Sequence, residues 1–498
     1  MSKSHYLGID VGSGSVKVML VDEIGSPIHT TAAEYETSYP YPKFVEQDPN
    51  DWYTAACTAV QETLHISGVS PVTVRGIGLS GTSHVPSLLD ADLSLIRPGI
   101  LWNDQRSQSQ VERLGRGHAA SITSKTMNTI NCTWSMAQIA WIQENEPAAF
   151  DRVRHVLFSK DYLAYRLTGN LVSDYSSAFS SLFVAAENLD WDPELAGLVG
   201  LDPAVFPSIH GPSETVGNLT AQAASDLGLP QTVAVVAGVL DSAAELVGVG
   251  ALDPSVAVIR LGTAGGVMTI REGPEWREGC LLYPHPVRPY WYHQAGTNAA
   301  TTSVEWAKGV LGLEGEHWSY AELDGLVDGE PAGSDGLVFH PYLVGERAPH
   351  WSPIIRGGFS GATLQHGRAA FFRAVLEGVA FSLRDCTALV DWGRTEQLRI
   401  CGGGAKSRVW CRIIADVLGL PVDQMSSIEA SAQGAALLAV AGCEGRSLSD
   451  ISSGVGDGKH VQRLHPNKAT RELYNSNYAQ YRDIAAEYLR VYGGRNPQ

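Results

Sequence analysis

Asp241 stands in "GVLDSAA", after the apolar run Val233 to Val236 and among small residues. A carboxylate there can take the proton of a hydroxyl that attacks phosphorus. It can equally cap the helix that "SAAELVGVG" begins, and spacing leaves both roles open. Asp10 in "YLGIDVGSGSVKVMLVDEIG" ends an apolar run, and Gly12, Ser13, Gly14 and Ser15 follow, with Lys17 in the return run. Such small residues let backbone N–H groups approach a phosphate, and the two hydroxyls add donors. Asp10 offers hard oxygen to Mg2+, while Lys17 offers a cation or simply faces solvent. By itself the stretch also reads as an ordinary tight turn. It is neither G-x-x-x-x-G-K-[ST] nor a dinucleotide fingerprint.

A second version of that pattern lies in "VAVIRLGTAGGVMTI", where Gly262 and Thr263 open the turn. Two such loops can grip a polyphosphate from opposite sides. A third loop, "CGGGAKS" with Gly403 and Gly404, opens a helix. Bare backbone there admits an adenine or ribose, and the helix N-terminus is expected to be available to anions. "GLSGTSHVPSLLD" brings Ser83 and His84, and "RPGILWNDQRS" brings Trp102, Asp104 and Arg106. These groups suit a polyhydroxylated ligand, with Trp102 stacking on a sugar face. A satisfied loop histidine and a surface Asp–Arg pair are the plainer readings. "PYLVGERAPHWSP", with Glu346, Arg347 and His350, reads as a structured loop without an assigned purpose.

The elements that must position these groups follow from the apolar pattern. Tyr6, Leu7 and Ile9 feed one strand and Val16, Val18, Met19 and Val21 the next, a hairpin. Asp48 and Pro49 start a helix with Trp52, Ala56, Val60 and Leu64 on one face. Val72 to Leu79 reads as a strand, as does Leu398 to Ile400, which leads into a helix ending at Gly419. "RAAFFRAVLEGVAFSLRDC" reads as a core helix. Strands alternate with helices, so α/β layers are expected. The repeated loop predicts two related domains, residues 1–246 and 247–498, facing one cleft.

At 498 residues the chain exceeds one ordinary core. Its 44% apolar and 18% charged residues are a globular composition. A net charge of −17 argues against nucleic acid or an anionic membrane as the main partner. The seven scattered cysteines suit reduced thiols and a cytoplasmic location. No stretch has the length of a signal peptide or membrane span.

The order "GIDVGSGSVK", "ILWNDQRS", "KDYLAYRLTG", "SDYS", "GVLDSAAELVGVG", "RLGTAGGV", "PYLVGERAPHW", "RAAFFRAVLEGVAF" and "ICGGGAKSRVW" resembles the FGGY carbohydrate kinases, most of all those of the xylulokinase type. The resemblance implies two actin-like (ribonuclease H-like) ATPase domains flanking a cleft. It implies transfer of phosphate from Mg·ATP to a sugar hydroxyl, D-xylulose being the best single choice of acceptor. Another ketose or an alditol, or an actin-like ATP-binding regulatory protein without sugar chemistry, are the alternatives. On the resemblance, Asp241 is the catalytic base and also meets the substrate, and Asp10 is the metal-associated aspartate. Ser13, Gly14, Ser15 and Lys17 are the first phosphate loop, Gly262 and Thr263 the second. Gly403, Gly404 and Arg408 hold adenosine, and Ser83 and His84, with Trp102 and Asp104 nearby, hold the sugar. ATP and Mg2+ are implied, and a homodimer is compatible with the family. The sugar loop departs from the family's G-Q-M-H-G at Thr82, Ser83 and Val85, and Ser242 replaces its Asn beside the catalytic position.

Overall fold

A computed structural model describes residues 3–313, 318–425, 429–452 and 461–493. Two seven-stranded sheets organise them, each built around a hairpin and a parallel neighbour. In the first, His5–Val11 pairs antiparallel with Ser15–Asp22, placing Asp10 opposite Lys17. The same strand pairs parallel with Val74–Gly81, which sets Ser80 beside Asp10. In the second, Val256–Leu261 pairs antiparallel with Gly265–Glu272 and parallel with Gln397–Cys401. The repeat seen in the loops is therefore a repeat of strand topology. The inner strands are buried on both faces, as parallel strands covered by helices must be.

Local chemistry explains the element ends. Asp48 caps the Pro49–Ser67 helix by accepting from the Asn50 N–H, and Gly68 closes it in the left-handed region. The strand expected from Val72 starts at Val74, because Pro71 sets a turn of 3₁₀ helix over Pro71–Thr73 first. The Arg368–Leu389 helix is core along nearly its whole length. All seven cysteines are free thiols. Among the described residues no helix is long and apolar enough to cross a membrane.

The chain returns to the first sheet after building the second. The Ala430–Glu444 helix lies against His5–Val11, Val74–Gly81 and the Asp241–Gly248 helix. Its approach is close enough to need glycine: a Cβ on Gly78 would stand 1.8 Å from the Ala435 carbonyl oxygen. One apolar core runs through this junction, joining Tyr6, Val239 and Leu246 to Val258, Tyr283 and Leu438.

Candidate active site

A cleft of about 540 Å³ lies between the sheets. Its wall includes Asp10, Ser13, Gly14, Ser15, Lys17, Ser83, His84, Trp102, Asp241, Gly262, Thr263 and Gly403. The two glycine loops thus face one space from opposite halves of the chain.

The first loop is held from behind. Tyr35 donates to the Gly12 carbonyl through its hydroxyl and to the Gly14 carbonyl through its N–H, and Gln47 donates to the Ser13 carbonyl at 2.7 Å. These donors partly offset the carbonyls' negative charge, which leaves the loop's N–H groups better able to meet an anion. The second loop is anchored in the same sense, its Gly262 and Thr263 carbonyls accepting from Thr301 and Ala300 N–H groups. Lys17 is ion-paired with Glu429, which enters the cleft wall beside the Ala430–Glu444 helix.

Asp241 is the first residue of the Asp241–Gly248 helix, one place inside the N-cap position, which Leu240 occupies. Its Oδ1 accepts from the Ser83 hydroxyl at 2.7 Å. Placing it there takes the Val239–Leu240 strand, paired to Ser80 and Gly81. Gly238 makes the approach with φ of 76°, and a Cβ on it would meet the Leu79 carbonyl oxygen at 2.1 Å. The Leu240 N–H donates to Ser176 Oγ, which donates to Asp174, itself ion-paired to buried Lys160. A buried charged network thereby fixes the backbone just ahead of the carboxylate.

Asp10 is buried, and burial pushes its carboxyl up to about 7, with Ser80 opposing by donating to Oδ1 at 2.8 Å. Among the described residues no three acidic, histidine or cysteine side chains form a metal cage. One carboxylate on the cleft wall beside a phosphate loop still fits Mg2+, which binds through one or two carboxylates plus substrate phosphates.

His84 lies in the wall at φ 67° and is 3% exposed. Its Nδ1 sits 2.6 Å from the Ser180 carbonyl, which only accepts, so Nδ1 carries the proton. Its Nε2 accepts from the Tyr283 hydroxyl at 2.9 Å, and burial lowers its pKa to about 4. Both ring nitrogens are therefore committed to protein. Trp102 faces the Arg347 guanidinium, 5.4 Å from its ring centre.

Three expected contacts do not line the cleft. Asp104 is buried, holding Arg106 and accepting from the Val45 N–H, so its oxygens are consumed by structure. Gly404 is packed beneath Trp410, and Arg408 is exposed at the start of the Arg408–Leu418 helix. The N-terminus of that helix is not available to an anion. Ser407 caps it, and Asp324 accepts from the Val409 N–H at 3.2 Å. At Gly402 the strand-to-loop turn takes φ of 89° against the Leu261 carbonyl.

The wall also includes residues that motif reading left unassigned: Glu245, Arg260, Tyr283, Gln294, Arg347 and Glu429. A charge inside the apolar strand "VAVIRL" and an acid one helical turn after Asp241 were the available signals.

Residues 5–248 match the N-terminal domain, and residues 257–443 the C-terminal domain, of the FGGY family of carbohydrate kinases. The chain belongs to the FGGY family of carbohydrate kinases. It is 32% identical over 489 residues to a xylulose kinase of Staphylococcus epidermidis, covering 97% of each chain. It is 29% identical to a xylulose kinase of Bacillus subtilis, covering 96% of this chain and 98% of the other. The solved xylulose kinase of Rhodospirillum rubrum superposes with a TM-score of 0.87 at 28% identity, over 99% of this chain and 100% of that one. The protein is thus a carbohydrate kinase with the family's two-domain α/β fold, and ATP is its co-substrate.

Proposed function

We propose that this kinase phosphorylates a ketopentose, converting D-xylulose to D-xylulose 5-phosphate with Mg·ATP in the cytoplasm. The carrying observation is one cleft with a glycine loop on each side and the Asp241 carboxylate in its wall. The xylulose kinases named above supply the acceptor. In this reading residues 1–246 carry the sugar and the first phosphate loop, and 247–498 the nucleotide. Asp241 orients the acceptor hydroxyl and accepts its proton. Ser13, Gly14, Ser15, Gly262 and Thr263 hold the phosphates, and Gly403 supports adenosine. Asp10 would hold Mg2+, which neutralises phosphate charge when bound. Lys17 reaches the phosphates once it leaves Glu429. Positioning and charge neutralisation supply most of the rate, with closure of the cleft excluding water.

A specific observation favours a second acceptor, another ketose or an alditol. His84 has no ring nitrogen left for a sugar, so recognition falls on Ser83, Trp102 and the wall around them. The regulatory reading without sugar chemistry is set aside by membership in a kinase family. ADP release measured over a panel of ketoses and alditols tests the proposal. D-xylulose is expected to give the highest kcat/KM, with Asp241→Asn at least about a hundredfold slower. An alditol preferred over every ketose overturns the acceptor, and a fully active Asp241→Asn overturns the base.

A further inference from the structure

Arg260 and Glu245 stand beside Asp241 with no part in either phosphate loop. Arg260 interrupts the strand Val256–Leu261, whose other residues are buried and apolar. A cation there is costly unless it is paired. Its Nη1 lies 3.2 Å from Glu245 Oε1 and 3.9 Å from Asp241 Oδ2. Glu245 and Asp241 both raise its pKa, so it stays charged.

The pairing is incomplete. Glu245 is buried, and its Oε2 has no hydrogen-bond partner. Among the described residues Arg260 donates only through Nη1, while its side chain keeps 21% exposure in the cleft wall. A purely structural ion pair in a dry site closes on itself with its remaining donors and acceptors satisfied. This one holds a guanidinium by one nitrogen and leaves the rest of the fork toward the cleft. Its place in the chain adds direction: Arg260 precedes Gly262 of the second phosphate loop by two residues. It therefore joins the second loop to the carboxylate of Asp241, both of which share the cleft wall with it.

We propose that Arg260 is a further catalytic residue, a cation anchored by Glu245 that meets the phosphoryl group in transit. This rests on the kinase reading of the cleft with Asp241 as base. In the transfer, the acceptor oxygen bonds to the γ-phosphorus and the bond from that phosphorus to the β–γ bridging oxygen breaks. The electron pair leaves on ADP, and the hydroxyl proton passes to Asp241. Charge on the equatorial phosphoryl oxygens then faces a guanidinium already in place, which needs no reorganisation. Glu245 keeps that guanidinium from collapsing onto Asp241.

The test is kcat and KM for both substrates in Arg260→Met and Arg260→Ala, with ATP binding and thermal melting measured alongside. Arg260→Met is expected to lower kcat at least about a hundredfold, with both KM values within roughly threefold. Added guanidinium ion is expected to restore part of the rate to Arg260→Ala, a response that a merely structural arginine would not give. The double variant Arg260→Met/Glu245→Leu removes the buried pair as a unit and guards against misfolding. It is expected to melt near the parent and remain slow. A kcat within twofold of the parent in a folded Arg260 variant overturns the proposal. So does a loss confined to the sugar KM, which would make Arg260 an acceptor-binding residue. Asp241→Asn run in parallel keeps the two questions apart, because full activity there overturns the base while the Arg260 result stands on its own.

Discussion

Gly434→Ala tests whether the packing of one helix sets the position of the Asp241 carboxylate, the proposed base. Gly434 lies in the Ala430–Glu444 helix, where a Cβ would stand 1.9 Å from the Ala244 carbonyl oxygen and 2.7 Å from its carbonyl carbon. Both are backbone atoms, so no rotamer change relieves the overlap. Reaching an ordinary contact of about 3.5 Å requires the helices to part by roughly 1.5 Å. Alanine gains up to about 1 kcal/mol of helix propensity over glycine, but overpacking costs about 1–3 kcal/mol, so the net effect is destabilising. Ala244 sits one turn after Asp241, and the Asp241–Gly248 helix is short, so the displacement reaches the carboxylate and its 2.7 Å bond from Ser83. A misplacement near 1 Å costs about a hundredfold in rate. The assay is kcat by coupled ADP release together with Tm by calorimetry. Gly115→Ala is the control, since that helical glycine has nothing within 4 Å of its Cβ position. The control should gain stability and keep its rate, whereas Gly434→Ala should lose both. A Gly434→Ala variant that behaves like the control refutes the reasoning.

The site's buried titratable and polar groups give two further expectations. Asp10 has a carboxyl raised to about 7 by burial, so between its ordinary range and pH 7 the folded state holds a proton that the unfolded chain has released. Stability therefore falls as pH rises across that window, and the loss is complete above about 7. Each pH unit crossed costs about 1.4 kcal/mol. Asp10→Asn should abolish turnover yet raise the Tm of the substrate-free enzyme more at pH 8 than at pH 5; an equal gain at both would sink this account. Tyr283→Phe removes the donor to His84 Nε2 and leaves a buried acceptor unmet, at about 1–3 kcal/mol. Its sugar KM is expected to rise with a modest fall in Tm, and unchanged values of both would count against a structural link between the two halves through this pair.

Much of the site was legible from short-range pattern. Gly12 to Ser15, Gly262 with Thr263, and the aspartates at positions 10 and 241 announce themselves through turn chemistry and strand ends. Such signals occupy a few consecutive residues, and the sequence carries them whole. The Asp48 cap and the hairpins were readable for the same reason. Asp104 and the 408–418 helix show the limit. Both read as available to a ligand, but distant residues, Val45 with Arg106 in one case and Asp324 in the other, take up their bonding capacity.

Family membership, the α/β alternation and the two glycine loops are all written in local spacing, so the chain states them before it folds. Folding adds that Arg260 meets Glu245, that the Ser180 carbonyl fixes the tautomer of His84 so that Tyr283 donates to its other nitrogen, and that Lys17 is held by Glu429. Those pairs join groups from separate elements, and only sheet order and close helix packing bring them together. Burial then forces each polar group to find whichever partner the fold supplies, and no periodicity in the chain records that choice.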